Sequence, residues 1–394
     1  MRGDELTTWC EVSGANLAHN LNLFRRLLNP GTGIAAVVKA NAYGHGVAQV
    51  VPVLEACGVE MYAVHSLPEA LEVRACGGTR PVLIMGYLTP GQLGTLQDPE
   101  FHVLLSSREV LARLAARGAQ LGVSFPVHIK VDTGTHRQGV PPEEAAELAK
   151  DAVNAGLSVV GVATHFANIE DTTDHSYAFE QLARFRRALA RIERVTGQLP
   201  YVHAACSAAA LLFRETDFTL ARLGISLYGH WPSRETYVSW LLAHGRDGIA
   251  LKPVLSWRAV VGQVKRVGAR EPIGYGLSYR TTRPTRLAVL PVGYAEGYPR
   301  ALSNRASVLV WGQRAPVLGR VCMNITMVDV TDIPEAREGD VATLIGADGS
   351  ERVSAEELAE LASTINYEIL ARLSPTVPRF LTEWPQHPPG PSGG

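Results

Sequence analysis

Residues 34–46 read IAAVVKANAYGHG. Five apolar residues run directly into Lys39, and a loop carrying Tyr43, Gly44, His45 and Gly46 follows. An unbroken apolar run bounded by glycine predicts a strand buried on both faces. Lysine is among the residues least often buried without a partner. A core strand that ends on Lys39 therefore asks which fold makes a lysine useful there.

Seven further runs repeat the arrangement, at 60–65, 81–86, 101–105, 125–132, 158–165, 201–206 and 220–228. Helical patterns part them. In SLPEALEVRACGG, residues 66–78, Ser66 and Glu69 form a capping box and Gly77 supplies a stop. SSREVLARLAARG, residues 106–118, has the same shape and is expected to end at Gly118. Eight strands alternating with helices predict an α/β fold, a (β/α)8 TIM-type barrel. From about Pro253 the pattern changes to valine-rich runs parted by glycine turns, such as VLSWRAVVG, ASVLVWG and DVATLIG. This predicts a mainly antiparallel β domain. The expected division is a barrel over 1–248, a C-terminal β domain over 249–384 and a disordered, Pro- and Gly-rich tail over 385–394.

Composition narrows the function. The 394 residues carry 46% hydrophobic and 19% charged side chains, with a net charge of −1, as in an ordinary globular protein. No basic block offers a footprint for nucleic acid. No apolar run is long enough to span a bilayer, and the N-terminus lacks the apolar core of a signal peptide. The five cysteines, Cys10, Cys57, Cys76, Cys206 and Cys322, are scattered and odd in number. That pattern disfavours a disulfide framework or a metal site and fits a reducing cytoplasm.

A (β/α)8 barrel carries its chemistry at the carboxyl ends of its strands. Lys39 ends the first run. In FPVHIKVD the residues Phe125, Val127, Ile129 and Val131 alternate with His128, Lys130 and Asp132. The apolar set should face the helices and the polar set the interior. His165 ends the sixth run, Ser207 follows the seventh, and Arg222 with Gly224 lies in the eighth. Loops after the seventh and eighth strands often hold phosphate. A lysine, an arginine and a phosphate cradle together suggest pyridoxal phosphate. Each residue also has a plain reading. A strand-end lysine can snorkel, Ser207 can cap a helix, His165 can be a satisfied core histidine, and Tyr43 can shape a loop. Those readings weaken when all the groups fall at one end of one barrel.

On these stretches the sequence resembles the alanine racemase family of pyridoxal-phosphate enzymes. The matching segments include AVVKANAYGHG, THFA, SAAALL, ARLGISLYG, GYGLSY, PVGYAEGYPR, GRVCMN and TINYE, in family order from residue 36 to 368. The resemblance implies that Lys39 bonds the cofactor and acts as one catalytic base. Tyr275, contributed by the partner of a head-to-tail homodimer, would be the other. A free tyrosine titrates near ~10, so a tyrosine used as a base needs cationic neighbours or hydrogen bonds. The resemblance places Arg222 at the pyridine nitrogen with His165 beside it, and Tyr43, Ser207, Gly224, Ile225 and Tyr367 around the phosphate. Arg137 falls near the cofactor's phenolic oxygen and the substrate, Met323 beside the substrate carboxylate, and Tyr294 and Arg320 on the entry corridor. Lys130 matches a lysine that is carbamylated in some relatives. The implied reaction is racemisation of alanine, with D-alanine going to peptidoglycan. Racemisation of serine, lysine or arginine, and a non-catalytic pyridoxal-phosphate carrier, are alternatives. A related decarboxylase uses a β-domain cysteine, for which Cys322 is the candidate, but GRVCMN follows the racemase pattern. The sequence departs from that pattern at Cys206, at Asn324, and at Thr135 and His136. A cysteine beside the phosphate is an expected point of oxidation or alkylation.

Overall fold

The computed structural model describes residues 6–245 and 248–384. The tail expected over 385–394 lies outside the described residues. All eight barrel strands are present: β1 (Gly33–Val37), β2 (Met61–Val64), β3 (Val82–Ile84), β4 (Phe101–Leu105), β5 (Pro126–Lys130), β6 (Ser158–Ala163), β7 (Tyr201–His203) and β8 (Leu220–Leu223). They form one parallel sheet in the order β7-β6-β5-β4-β3-β2-β1-β8. The β7/β8 seam is bridged where the Arg222 N–H donates to the Ala205 carbonyl at 3.0 Å and the Val202 N–H donates to Thr219 Oγ1 at 2.7 Å. The sheet is thus a nearly closed barrel. Every residue of β2, β3, β4, β5 and β8 is buried, which is why these strands read as mainly apolar runs.

The strands stop short of the ends read from sequence. Lys39, His165, Cys206 and Tyr228 lie just past β1, β6, β7 and β8. The polar groups thus sit in the strand-to-helix connections, where a side chain can reach a ligand. Helix Leu67–Ala75 carries the Ser66/Glu69 capping box. Helix Arg108–Leu121 runs past Gly118 and stops at Gly122, whose φ of 69° is left-handed. Gly118 instead serves packing, since a Cβ there would lie 2.6 Å from the Val123 carbonyl oxygen.

The second unit is mainly antiparallel. Its larger sheet runs in the order Gln313–Pro316, Ser307–Val310, Val341–Asp348, Leu255–Val260, Thr8–Ser13, Arg379–Thr382, with Glu351–Val353 paired to Val341–Asp348. A three-stranded sheet joins Gln263–Val267, Thr285–Leu290 and Thr326–Asp329. Ile273, Leu287, Leu318 and Met327 pack as a buried cluster in this unit. The first strand differs from the expected division. Thr8–Ser13 pairs antiparallel with Leu255–Val260 and parallel with Arg379–Thr382, so it is no part of the barrel. By compactness, among the described residues one unit holds Leu17–Ala40 and Val51–Lys252; the other holds the first strand, Asn41–Val50 and residues 253–384.

Candidate active site

The segment after β1 is a single turn of left-handed helix. Ala40, Asn41, Ala42 and Tyr43 each have φ of 53°, within the five-residue turn Lys39–Tyr43. L-residues visit this region singly, at a cost of about 1–2 kcal/mol each. Four in succession store strain that surrounding bonds must hold. On the barrel side, the Ala40 N–H donates to Glu69 Oε1 at 2.8 Å. Glu69 Oε2 meanwhile accepts from the His65 and Ser66 N–H groups at 2.7 and 3.1 Å. The capping glutamate of one helix thus also fixes the residue after Lys39. Farther on, Asn41 Oδ1 accepts from the Val47 N–H at 3.0 Å. Gly44 follows at φ +81°, and a Cβ there would collide with the Leu370 carbonyl oxygen at 1.9 Å.

Lys39 is half-buried. Burial lowers its amine below the usual lysine range; Arg137 and Arg222 push the same way, while Glu69 and Glu170 oppose. Lys130, at the end of β5, is buried and lowered to about 7, first by burial and then by Arg222 and Arg137. Arg222 in β8 is buried and lowered to about 10 by the same loss of water. Its Nη1 donates to His203 Nδ1 at 2.7 Å and to the His203 carbonyl at 3.0 Å. Its Nη2 donates to the Thr164 and Ala204 carbonyls at 2.8 and 3.1 Å and faces His165 Nδ1 at 3.4 Å. Only the Nε–H of this guanidinium lacks a partner among the described residues. Burial, with Arg222 next, holds His165 well below the ordinary imidazole range, so it is neutral and can accept from Arg222.

Ser207 caps no helix. It is the first residue of helix Ser207–Leu212, and its Oγ accepts from the Gly224 and Ser226 N–H groups at 3.1 and 3.4 Å. Ile225, between them, is buried. The expected sensitivity of Cys206 is overturned: its thiol is buried and burial pushes it up to about 12, away from the reactive thiolate. Its Sγ contacts Glu170 Oε1 at 3.7 Å. Arg137 is exposed, on a loop gathered by Asp132 Oδ1, which accepts from the Gly134, Thr135 and His136 N–H groups at 3.0, 3.0 and 3.1 Å. Thr135 Oγ1 donates to the His165 carbonyl at 2.6 Å, so this departure ties two connections together.

In the second unit the rings of Tyr43 and Tyr367 are tilted neighbours, 6.0 Å between centroids. Tyr275, between Gly274 and Gly276, is 73% exposed, and Met323 57%. Arg320 and Tyr294 are exposed too. The Tyr294 and Met323 segments are laced together by the Tyr294 N–H to the Cys322 carbonyl at 3.1 Å and the Ala295 N–H to the Met323 carbonyl at 2.9 Å. Asn324 Nδ2 donates to Glu296 Oε1 at 2.6 Å. An aspartate at 324 would instead set two carboxylates face to face.

Sequence reasoning missed the wider surroundings of Arg222. His203 and His102 were not singled out, and His128 was read only as interior polarity. Their signal was present: each is a lone histidine inside an apolar run, FHVLL, PVHI and YVHAA. Gln181 was also missed. Its Oε1 accepts from the Ala167 N–H at 2.8 Å, and its Nε2 donates to Thr133 Oγ1 and the His165 carbonyl at 3.2 and 3.3 Å.

Comparison with known proteins is consistent over nearly the whole chain. The alanine racemase N-terminal domain matches residues 12–232 and the alanine racemase C-terminal domain residues 254–381. The alanine racemase of Leptospira interrogans is 37% identical over 383 residues, covering 96% of this chain and 97% of the relative. The crystal structure of alanine racemase from Streptomyces lavendulae, a D-cycloserine producer, is 33% identical with a TM-score of 0.86, covering 95% of this chain and 97% of that one. The alanine racemase of Bartonella henselae, solved with covalently bound pyridoxal phosphate, is 30% identical with a TM-score of 0.82, covering 95% and 99%. Both family models, and relatives at 30–37% identity over nearly their full length, agree, and the chain belongs to the alanine racemase family of isomerases.

Proposed function

We propose that this enzyme interconverts L- and D-alanine with pyridoxal phosphate, using Lys39 and Tyr275 of the partner subunit as its two bases. The observation that carries the reading is Arg222. Four of its five N–H donors are engaged by the protein, and Nε–H remains for an acceptor such as a pyridine nitrogen. A guanidinium stays charged, so it would donate to that nitrogen and keep it unprotonated. Arg137 and Arg222 balance Glu69 and Glu170 around Lys39, whose amine can join a carbonyl. When bound, the cofactor supplies the electron withdrawal that makes an amino-acid α-proton removable.

The chain's own residues do the rest. Lys39, whose amine burial lowers below the usual lysine range, takes or returns a proton on one face. Tyr275 does the same on the other, and its exposure together with Leu277 and Met323 supports delivery to a second chain in a head-to-tail homodimer. Ser207, Gly224 and Ile225, with Tyr43 and Tyr367, are assigned the phosphate. His165 steadies Arg222. Arg137 and Met323 are assigned the substrate side, and Tyr294 and Arg320 the corridor that admits a small side chain. Lys130, lowered to about 7, is neutral often enough to take up carbon dioxide as a carbamate, which would give Arg137 an anionic neighbour. The described cysteines are all free, which supports a reducing compartment such as the cytoplasm, and D-alanine made there would serve peptidoglycan. Among the described residues no helix is long and apolar enough to cross a membrane.

Chiral chromatography of products from a panel of L-amino acids tests this, with Lys39→Ala as control. D-alanine should dominate and the control should be inactive. Faster turnover of serine, lysine or arginine would replace the substrate. A cofactor-bound protein that racemises nothing would remove the activity and leave a carrier.

A further inference from the structure

Three histidines line up behind Arg222. His203 Nδ1 faces Arg222 Nη1 at 2.7 Å. His203 Nε2 lies 2.8 Å from His128 Nδ1, and His128 Nε2 lies 2.9 Å from His102 Nδ1. The chain crosses from β8 through β7 and β5 to β4. It occupies room the backbone leaves for it: a Cβ on Gly161 would lie 2.3 Å from His128 Nδ1. Tyr201 stacks on His128 at 5.6 Å and meets His102 edge-on at 5.6 Å.

The direction of every bond follows from one fact. A guanidinium only donates. His203 Nδ1 must therefore carry a lone pair, so neutral His203 holds its proton on Nε2 and donates it to His128. His128 Nδ1 is then the acceptor, and its proton is on Nε2, facing His102. The same step puts the His102 proton on Nε2. Charging His203 or His128 would set two N–H groups against each other. Burial agrees: it holds His203 and His128 well below the ordinary imidazole range and His102 at about 4. Three aligned imidazole dipoles thus point their lone-pair ends at Arg222. They substitute for the water its charge has lost.

We propose that His102, His128 and His203 form a one-directional hydrogen-bonded chain that fixes Arg222, which makes His102 and His128 positioning residues for the reaction. This rests on the reading of Arg222 as the group facing the cofactor.

The test begins with native holoenzyme labelled with nitrogen-15 in histidine. Its spectra separate proton-bearing from lone-pair ring nitrogens. All three residues should show bare Nδ1 and protonated Nε2 near neutral pH. An imidazolium, or a proton on Nδ1 of His203 or His128, overturns the chain. A pair of variants then tests its effect. His102→Asn keeps an acceptor near the Nδ1 position, and His102→Leu keeps volume without one. We expect His102→Leu to lower kcat roughly tenfold and shift the cofactor absorbance, with KM changed by less than about twofold. His102→Asn should restore most of both. Equal behaviour of the two variants, or an unchanged kcat and spectrum in His102→Leu, would overturn the positioning role. If His102→Leu fails to fold, the native spectra and the His102→Asn kinetics still decide. Native enzyme that racemises nothing would sink the functional reading instead and leave the tautomers standing.

Discussion

Glu69 shows how much one carboxylate can carry. It closes the capping box of its own helix, and with its other oxygen it holds the Ala40 N–H. Glu69→Gln places an NH2 where an acceptor is needed. We expect a loss of roughly 1–3 kcal/mol in unfolding free energy by urea titration. The charge has a separate effect. Glu69 raises the Lys39 amine against burial, so its removal lets the Lys39 proton leave at lower pH. The acid limb of the kcat profile should therefore move down in pH. A limb that stays put while stability falls would show that Lys39 is not the titrating base. The capping box was legible in the sequence because Ser66 and Glu69 are three residues apart. The second bond was not, since it needs β1 and β2 side by side. For the same reason Lys39, Arg222 and Ser207 could be found by position along the strands, whereas the His102–His128–His203 alignment required three separate strands to be placed.

At the scale of elements, the barrel strands were readable because burial leaves short, mainly apolar runs, interrupted only by single polar residues such as His128 and Arg222. The left-handed turn was not. Its residues, Ala40, Asn41, Ala42 and Tyr43, include no glycine, and nothing local marks a conformation that local energetics oppose. The turn is imposed by what holds its two ends: Glu69 on Ala40, and Asn41 on Val47. Ala40 is exposed, so Ala40→Gly removes the strain of one Cβ and loses no buried methyl. The relief of about 1–2 kcal/mol exceeds the added chain entropy of glycine, roughly 0.5–1 kcal/mol. The variant should match or exceed the wild type in thermal stability. It should also turn over more slowly, because Lys39 is less firmly aimed. A variant that is less stable and equally active would mean that the turn carries no strain relevant to Lys39.

At the scale of the molecule, the first strand shows what pattern reading cannot reach. Thr8–Ser13 looks like any short strand, and its partners, Leu255–Val260 and Arg379–Thr382, lie more than two hundred residues away. The proposed sharing of the site between two chains would pose a similar problem. Tyr275, Leu277, Met323 and Ile325 are 73%, 58%, 57% and 43% exposed, large apolar groups that the proposed partner subunit would cover. If each site takes Lys39 from one chain and Tyr275 from the other, two dead variants should repair each other. Lys39→Ala and Tyr275→Phe homodimers should both be inactive or nearly so. A heterodimer would pair both lesions in one site and leave the other site wild type. After unfolding and refolding of an equal mixture, half the dimers should be mixed, and total activity should recover to roughly a quarter of wild type. The racemisation rate of the remixed sample, measured against each variant refolded alone, decides the matter. Activity that remains at the level of the separate variants would place both bases within one chain.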